Sequence, residues 1–104
     1  MLKIAFNNNY IYPLEENHRF PMIKYELIPE QLIRENTCTE NNFFNPEKVD
    51  DFIVLLTHQK EYFERFKSLN LSKKEIREIG FPLSKELVDR ELLIADGTIK
   101  GVHY

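Results

Sequence analysis

Hydrophobic and polar residues alternate at the start of the chain. Leu2, Ile4 and Phe6 are separated by single residues, and an asparagine triplet at positions 7–9 follows directly. A period of two is typical of a β-strand, and consecutive asparagines favour a loop. The pattern therefore predicts a short strand over residues 2–6.

From Pro21 onward the hydrophobic residues recur at spacings of three and four, which is typical of an amphipathic helix. Pro29 lacks the amide proton that the middle of a helix needs. We therefore expect either one kinked helix or two short ones, followed by a polar loop over residues 36–46. The hydrophobic positions are Met22, Ile23, Tyr25, Leu27, Ile28, Leu32 and Ile33.

Residues 52–57 form a mainly apolar run that is bounded by two aspartates and by His58. Runs of this length that are partly β-branched are typical of a strand buried on both faces of a parallel sheet. The sequence thus predicts a central strand here. Its members Ile53, Val54, Leu55 and Leu56 are expected to be largely buried.

Three helices are predicted after this run. The first has apolar residues at positions 62, 63, 66 and 69, which lie on one helical face. Ser72 and Glu75 fit a capping box at the start of the second helix, and Gly80 predicts its end. Ser84 opens the last helix, which Gly97 is expected to close.

The predicted order is strand, helix, loop, strand, helix, helix, helix, in a single domain spanning residues 1–104. Strands separated by a helix favour an α/β fold with parallel strands. Two strands make a poor sheet by themselves, because each keeps an open edge. The chain is therefore expected to be the opening part of a larger α/β fold.

The composition is that of a folded domain, since 42% of the 104 residues are hydrophobic and 30% are charged. This balance disfavours intrinsic disorder. The net charge is -3, and the acidic and basic residues are interleaved along the chain. No basic stripe for nucleic acid is visible, so no nucleic-acid partner is expected.

No segment predicts export or membrane insertion. The chain becomes polar at residue 7, too early for a signal peptide, and no apolar run reaches the roughly 18 residues that a membrane span requires. Cys38 is the single cysteine and cannot form an intramolecular disulfide. We expect a cytoplasmic protein without a membrane partner, in which Cys38 is a buried or half-buried side chain.

Candidate chemistry is sparse in this sequence. His18, His58 and His103 are the only histidines, and none belongs to a paired metal-binding motif. The three glycines are dispersed, so there is no glycine-rich phosphate loop. The residues alone therefore predict an α/β domain with neither a metal site nor a nucleotide site.

Several segments nevertheless resemble the histone deacetylase family, in particular bacterial members of the branch similar to the eukaryotic class IV enzymes. Residues 18–25 resemble the signature of the family's first helix. Residues 52–58 with Tyr62 resemble its second strand and the His-x-x-x-Tyr start of the next helix. Further similar segments, in the family's order, are residues 42–44, 75–84 and 90–92, and the pair Gly97-Thr98, which falls where the family has a Gly-Gly-Thr helix start.

The resemblance implies the N-terminal portion of a three-layer α/β domain with a mainly parallel sheet, of which two strands and about four helices lie here. It also implies a zinc-dependent amidohydrolase, in which two aspartates and a histidine hold zinc, paired histidines move protons and a tyrosine assists the oxyanion. In the family these residues follow the Gly-Gly-Thr helix, which places them beyond Tyr104. No catalytic residue and no zinc ligand is therefore assigned, and Asp96 departs from the first glycine of that pair.

One residue of functional interest remains within the resemblance. Arg19 and Met22 match an Arg-x-x-Met element that, in relatives, places the arginine near an internal channel behind the zinc. The alternative is a surface or salt-bridging arginine. His18, Met22, His58 and Tyr62 are interpreted as signatures of the fold rather than as catalytic groups.

We thus expect the N-terminal segment of a zinc-dependent deacetylase that acts, in its complete form, on acetyl-lysine or an acylated amine. The segment is expected to be inactive by itself and to hold no zinc. A truncated gene, a frameshift or a fragment would each explain such a segment. The alternative is a non-catalytic module that associates with itself or with another chain through an exposed sheet edge or apolar surface. A helical nucleic-acid binder is disfavoured by the acidic balance.

Overall fold

A computed structural model describes residues 1–104 as a mixed α/β arrangement with a two-stranded parallel sheet. Strands β1 (Ile4–Ala5) and β2 (Phe43–Phe44) pair Ile4 with Phe43 and Ala5 with Phe44. Single turns of 3-10 helix lie at Asn8–Tyr10 and Glu40–Asn42. No helix is long and apolar enough to cross a bilayer. The five α-helices are α1 (Lys24–Arg34), α2 (Asp51–Val54), α3 (Lys60–Lys67), α4 (Lys73–Ile79) and α5 (Lys85–His103).

The first strand and the first helix agree with the sequence pattern. β1 lies within residues 2–6, and α1 is one helix that contains Pro29. Asn7 begins the turn after β1, because its side-chain oxygen accepts from the amide of Asn9 at 2.8 Å. No residue of α1 is fully buried, so this helix lies at the surface.

The predicted second strand is wrong. Residues 52–57 form α2 and the turn after it. The amide of Leu55 donates to the carbonyl of Asp51 at 3.0 Å, so a single helical turn satisfies the local backbone without a neighbouring strand. The expected burial fails as well: Ile53 and Val54 are half-buried, and Leu55 and Leu56 are exposed.

The second strand comes instead from the segment that was expected to be a loop. A period of two cannot be recognised over two residues, so the sequence pattern gives no signal for β2. Side-chain amides tie β1 and β2 together beyond the ladder. Asn42 Nδ2 donates to the carbonyl of Leu2 at 2.8 Å, and Asn7 Nδ2 donates to Asn45 Oδ1 at 2.6 Å.

Helix α4 begins and ends where the sequence predicts. Ser72 Oγ accepts from the amide of Glu75 at 3.1 Å, and Glu75 Oε1 accepts from the amide of Ser72 at 2.9 Å, which completes the capping box. Gly80 follows the helix with a φ of +87°. Glycine adopts this left-handed conformation without strain, which explains the sharp stop.

The predicted end of the last helix is wrong. Ser84 caps α5 as expected, since its Oγ accepts a helix amide at 3.1 Å, but the helix continues well past Gly97. Gly97 permits close packing instead. A Cβ at this position would lie 2.6 Å from the Tyr10 hydroxyl oxygen and 2.9 Å from the Ala5 Cβ. Gly97-Thr98 accordingly lies inside a helix and not at a helix start.

The core lies between the segment of residues 10–25 and the first half of α5. Tyr12, Met22 and Leu87 form its centre. The Tyr12 hydroxyl donates to the carbonyl of Pro82 at 2.8 Å and lies 2.5 Å from Ser84 Oγ, so the loop before α1 is tied to the start of α5. The half-buried residues around this centre are Leu14, Phe20, Tyr25, Ile79, Phe81 and Leu83.

The chain is open rather than closed around this core. Only 13 of its 104 residues are buried. Its radius of gyration is 15.4 Å, whereas a compact chain of this length has about 13 Å. Its accessible surface of 7682 Å² exceeds the value expected for a compact protein of this mass by about 1,500 Å². Part of this surface is apolar, since large hydrophobic side chains such as Leu56 and Val102 are exposed.

Candidate functional site

A wide apolar groove lies between α2, α3 and α5, and we call it the α2–α5 groove. Its volume is about 590 Å³, within the range of ligand-binding clefts. Eleven of the fourteen residues that line it are hydrophobic. The polar exceptions are Thr57, His58 and Glu91.

Each of the three helices supplies side chains to this groove. Ile53 lines it from α2, Phe66 from α3 and Leu92 from α5, and Leu56 joins them from the turn after α2. Helix α3 is fixed in place by Phe63, of which only 3% is exposed. The amphipathic pattern of α3 thus predicts its buried face correctly, whereas α2 contributes to the groove without being covered itself.

The rim of the groove is apolar and uncovered. Leu56 lines the groove and is 75% exposed. Phe52, in the first turn of α2, is 62% exposed but does not line the groove. Single exposed hydrophobic residues are ordinary on protein surfaces, but contiguous apolar patches mark sites of interaction. The α2–α5 groove and its rim form such a patch.

Few polar groups face the groove, and they do not form a catalytic arrangement. The His58 ring stacks on the Tyr62 ring with centroids 6.1 Å apart and planes inclined by 21°. His58 does not cap α3, because the N-cap residue is Gln59. Glu91 Oε1 accepts from Arg90 Nη1 at 2.7 Å and is thereby paired. The groove therefore offers apolar contact with little reactive chemistry.

An ion-pair network lies beside Tyr62. The Arg65 guanidinium lies over the Tyr62 ring, 5.8 Å from its centroid, and donates to Glu61 and to both oxygens of Glu75. The hydrogen bonds from Arg65, together with the amide of Ser72, lower the pKa of Glu75 to about 2. All three hydrogen bonds to Glu75 favour its charged carboxylate.

Arg90 is the one charged residue that is buried, with 2% of it exposed. Its Nε donates to the carbonyl of Tyr10 at 2.8 Å, and its Nη2 lies 3.7 Å from the Met22 sulfur. The guanidinium also lies over the rings of Tyr25 and Phe81, at 5.2 Å and 5.6 Å from their centroids. A buried cation needs such partners, because its desolvation is costly. Arg90 therefore clamps the N-terminal loop to α5.

The sequence pattern predicts no structural or functional role for Arg90. The signal that could have found it is its position in α5, three residues after Leu87 and three before Leu93, both of which are buried. An arginine inside an apolar helical stripe marks a buried or half-buried guanidinium.

His18 and Met22 lie on the core side of the molecule, away from the groove lining. The amide of Phe20 donates to His18 Nδ1 at 3.1 Å, so Nε2 carries the proton that is donated to the carbonyl of Gly80 at 2.9 Å. Met22 belongs to the buried centre of the core. Both residues therefore hold the loop before α1 against the end of α4 and the start of α5.

Arg19 is exposed and forms no ion pair within the chain. The salt-bridging alternative thus has no partner here, and the channel role stays a prediction. His58 and Tyr62 line the groove. The five candidate residues therefore do not form one site. His18 and Met22 lie on the core side, Arg19 lies at the surface, and His58 and Tyr62 line the groove.

The side chains of this chain do not fit a zinc site. No three histidine, cysteine, aspartate or glutamate side chains come together in a way that could hold a metal ion. Cys38 is buried and has no disulfide partner. The zinc site that the resemblance implies for a complete domain therefore cannot be assigned to these residues.

Comparison with known proteins finds similarity to part of a longer protein. No family model matches the chain. It is 30% identical over 96 residues to an uncharacterized protein of Picosynechococcus sp.. The alignment covers 92% of this chain but 32% of the relative, so the chain spans about a third of the length of the protein it matches.

Proposed function

We propose that residues 1–104 constitute the N-terminal segment of a zinc-dependent deacetylase-type domain. In its complete form this domain would hydrolyse acetyl-lysine or another acylated amine. The observation that carries the proposal is the open construction, in which the parallel sheet has two strands and the α2–α5 groove is left open. The segments that resemble the histone deacetylase family support the proposed identity of the domain, but residues 52–58 lack the strand and Gly97-Thr98 lacks the helix start that the resemblance implies.

The contacts of His18 and Met22 support this reading of the first signature. Both residues join the loop before α1 to the region around α5, through the carbonyl of Gly80 and through the Arg90 guanidinium. A signature of this kind preserves a local fold and needs no catalytic role. It is therefore compatible with a segment that carries structure while the chemistry comes from elsewhere.

The bound zinc of the complete domain would polarise the acyl amide and activate water. Within this chain, Arg19 is the residue proposed to act near that site. It is exposed and has no ion-pair partner, so its guanidinium is free to hydrogen-bond an anionic product such as acetate. The proposed role is binding and release of product, with no step of bond cleavage assigned to Arg19.

A chimera tests the proposal. Residues 1–104 replace the aligned segment of the Picosynechococcus relative, and zinc content and acetate release from acetyl-lysine peptides are measured for the relative, the chimera and the isolated chain. The relative and the chimera are expected to hold zinc and release acetate, and the isolated chain to do neither. A relative that lacks zinc and activity, or a zinc-loaded chimera without activity, would overturn the proposal.

Arg19→Ala in the chimera separates the channel role from the structural one. Losing a hydrogen bond to a charged group costs about 1.5–3 kcal/mol, so turnover or acetate inhibition should change by at least about tenfold. Arg34→Ala is the matched control, because Arg34 is also exposed and unpaired. Equal activity in the two variants would contradict a role for Arg19.

A second candidate function is a non-catalytic interaction module. The exposed Leu56 favours it, since this side chain lines an apolar groove that has room for a partner. Zinc and acetate measurements on the chimera distinguish the two candidates, because a pure interaction module would confer binding without hydrolysis.

A further inference from the structure

We draw no further inference here: the strongest candidate, the apolar α2–α5 groove at which Leu56 is exposed, carries none, because nothing in the structure shows what covers it.

Discussion

Gly97 and Gly101 lie four residues apart in α5 and have opposite surroundings. A Cβ at Gly97 would overlap the Tyr10 hydroxyl and the Ala5 side chain, at 2.6 Å and 2.9 Å. At Gly101 nothing lies within 4 Å. The same chemical change should therefore have opposite effects on stability at these two positions.

Gly97→Ala is expected to lower the free energy of unfolding by about 1–3 kcal/mol, because β1 and Tyr10 must move away from α5. Gly101→Ala should raise it by about 0.5–1 kcal/mol, since alanine loses less backbone entropy in a helix. Urea denaturation of both variants at one protein concentration measures the difference. A stabilising Gly97→Ala would mean that α5 and β1 are not in close contact.

The contacts of Arg90 could be predicted only in part from the local sequence pattern. The sequence places an arginine between Leu87 and Leu93, and helical periodicity alone assigns it to the buried face. Its partners are Tyr10, Tyr25 and Phe81. The two tyrosines are at least 65 positions away along the chain, and Phe81 is 9 positions away. These contacts depend on tertiary packing and could not be predicted from local pattern.

The junction between α3 and α4 is held by charge. Arg65 in α3 donates to Glu75 in α4 through two nitrogens, at 2.6 Å and 3.0 Å, and to Glu61 one turn earlier. The hydrogen bonds lower the pKa of Glu75 from its ordinary 4.5 to about 2. A carboxyl with a depressed pKa stabilises the folded state fully above its unfolded value and loses this contribution as pH falls toward the folded value.

Stability should therefore decrease between about pH 4.5 and pH 2, in part through protonation of Glu75. Glu75→Gln should reduce this pH dependence, because glutamine still accepts the capping hydrogen bond but carries no charge. Thermal unfolding across this range is the measurement, with Glu78→Gln, an exposed residue of the same helix, as the control. Equal slopes for the two variants would contradict the account of the junction.

Elements whose ends are determined by adjacent residues could be predicted from the sequence. Elements that depend on packing against distant segments could not. The capping box at Ser72 and the glycine stop at Gly80 act through adjacent backbone groups, so the sequence alone fixes α4. The run of residues 52–57 is short and apolar, a pattern shared by buried strands and helical turns. No strand lies beside it to supply hydrogen bonds, and it forms α2. The role of Gly97 could not be predicted for the same reason, since close packing and not helix termination requires a glycine there.

At the scale of the whole molecule, the chain has a small core and a large uncovered face. The α/β character could be predicted from the sequence, but the second strand is Phe43–Phe44 and not the predicted run of residues 52–57. The α2–α5 groove was not predictable, since it depends on α2 being a helix and on its placement against α3 and α5. Leu56 remains exposed where it lines this groove.

The central claim is that residues 1–104 are one segment of a larger domain and are stabilised by the rest of it. The most direct test compares the thermal unfolding midpoint of the isolated chain with that of the chimera. Burial of apolar surface against the rest of the domain stabilises the folded state, so we expect a clearly higher midpoint for the chimera. A cooperative transition of the isolated chain at the same midpoint would contradict the claim, because the open chain would then be as stable without the rest of the domain.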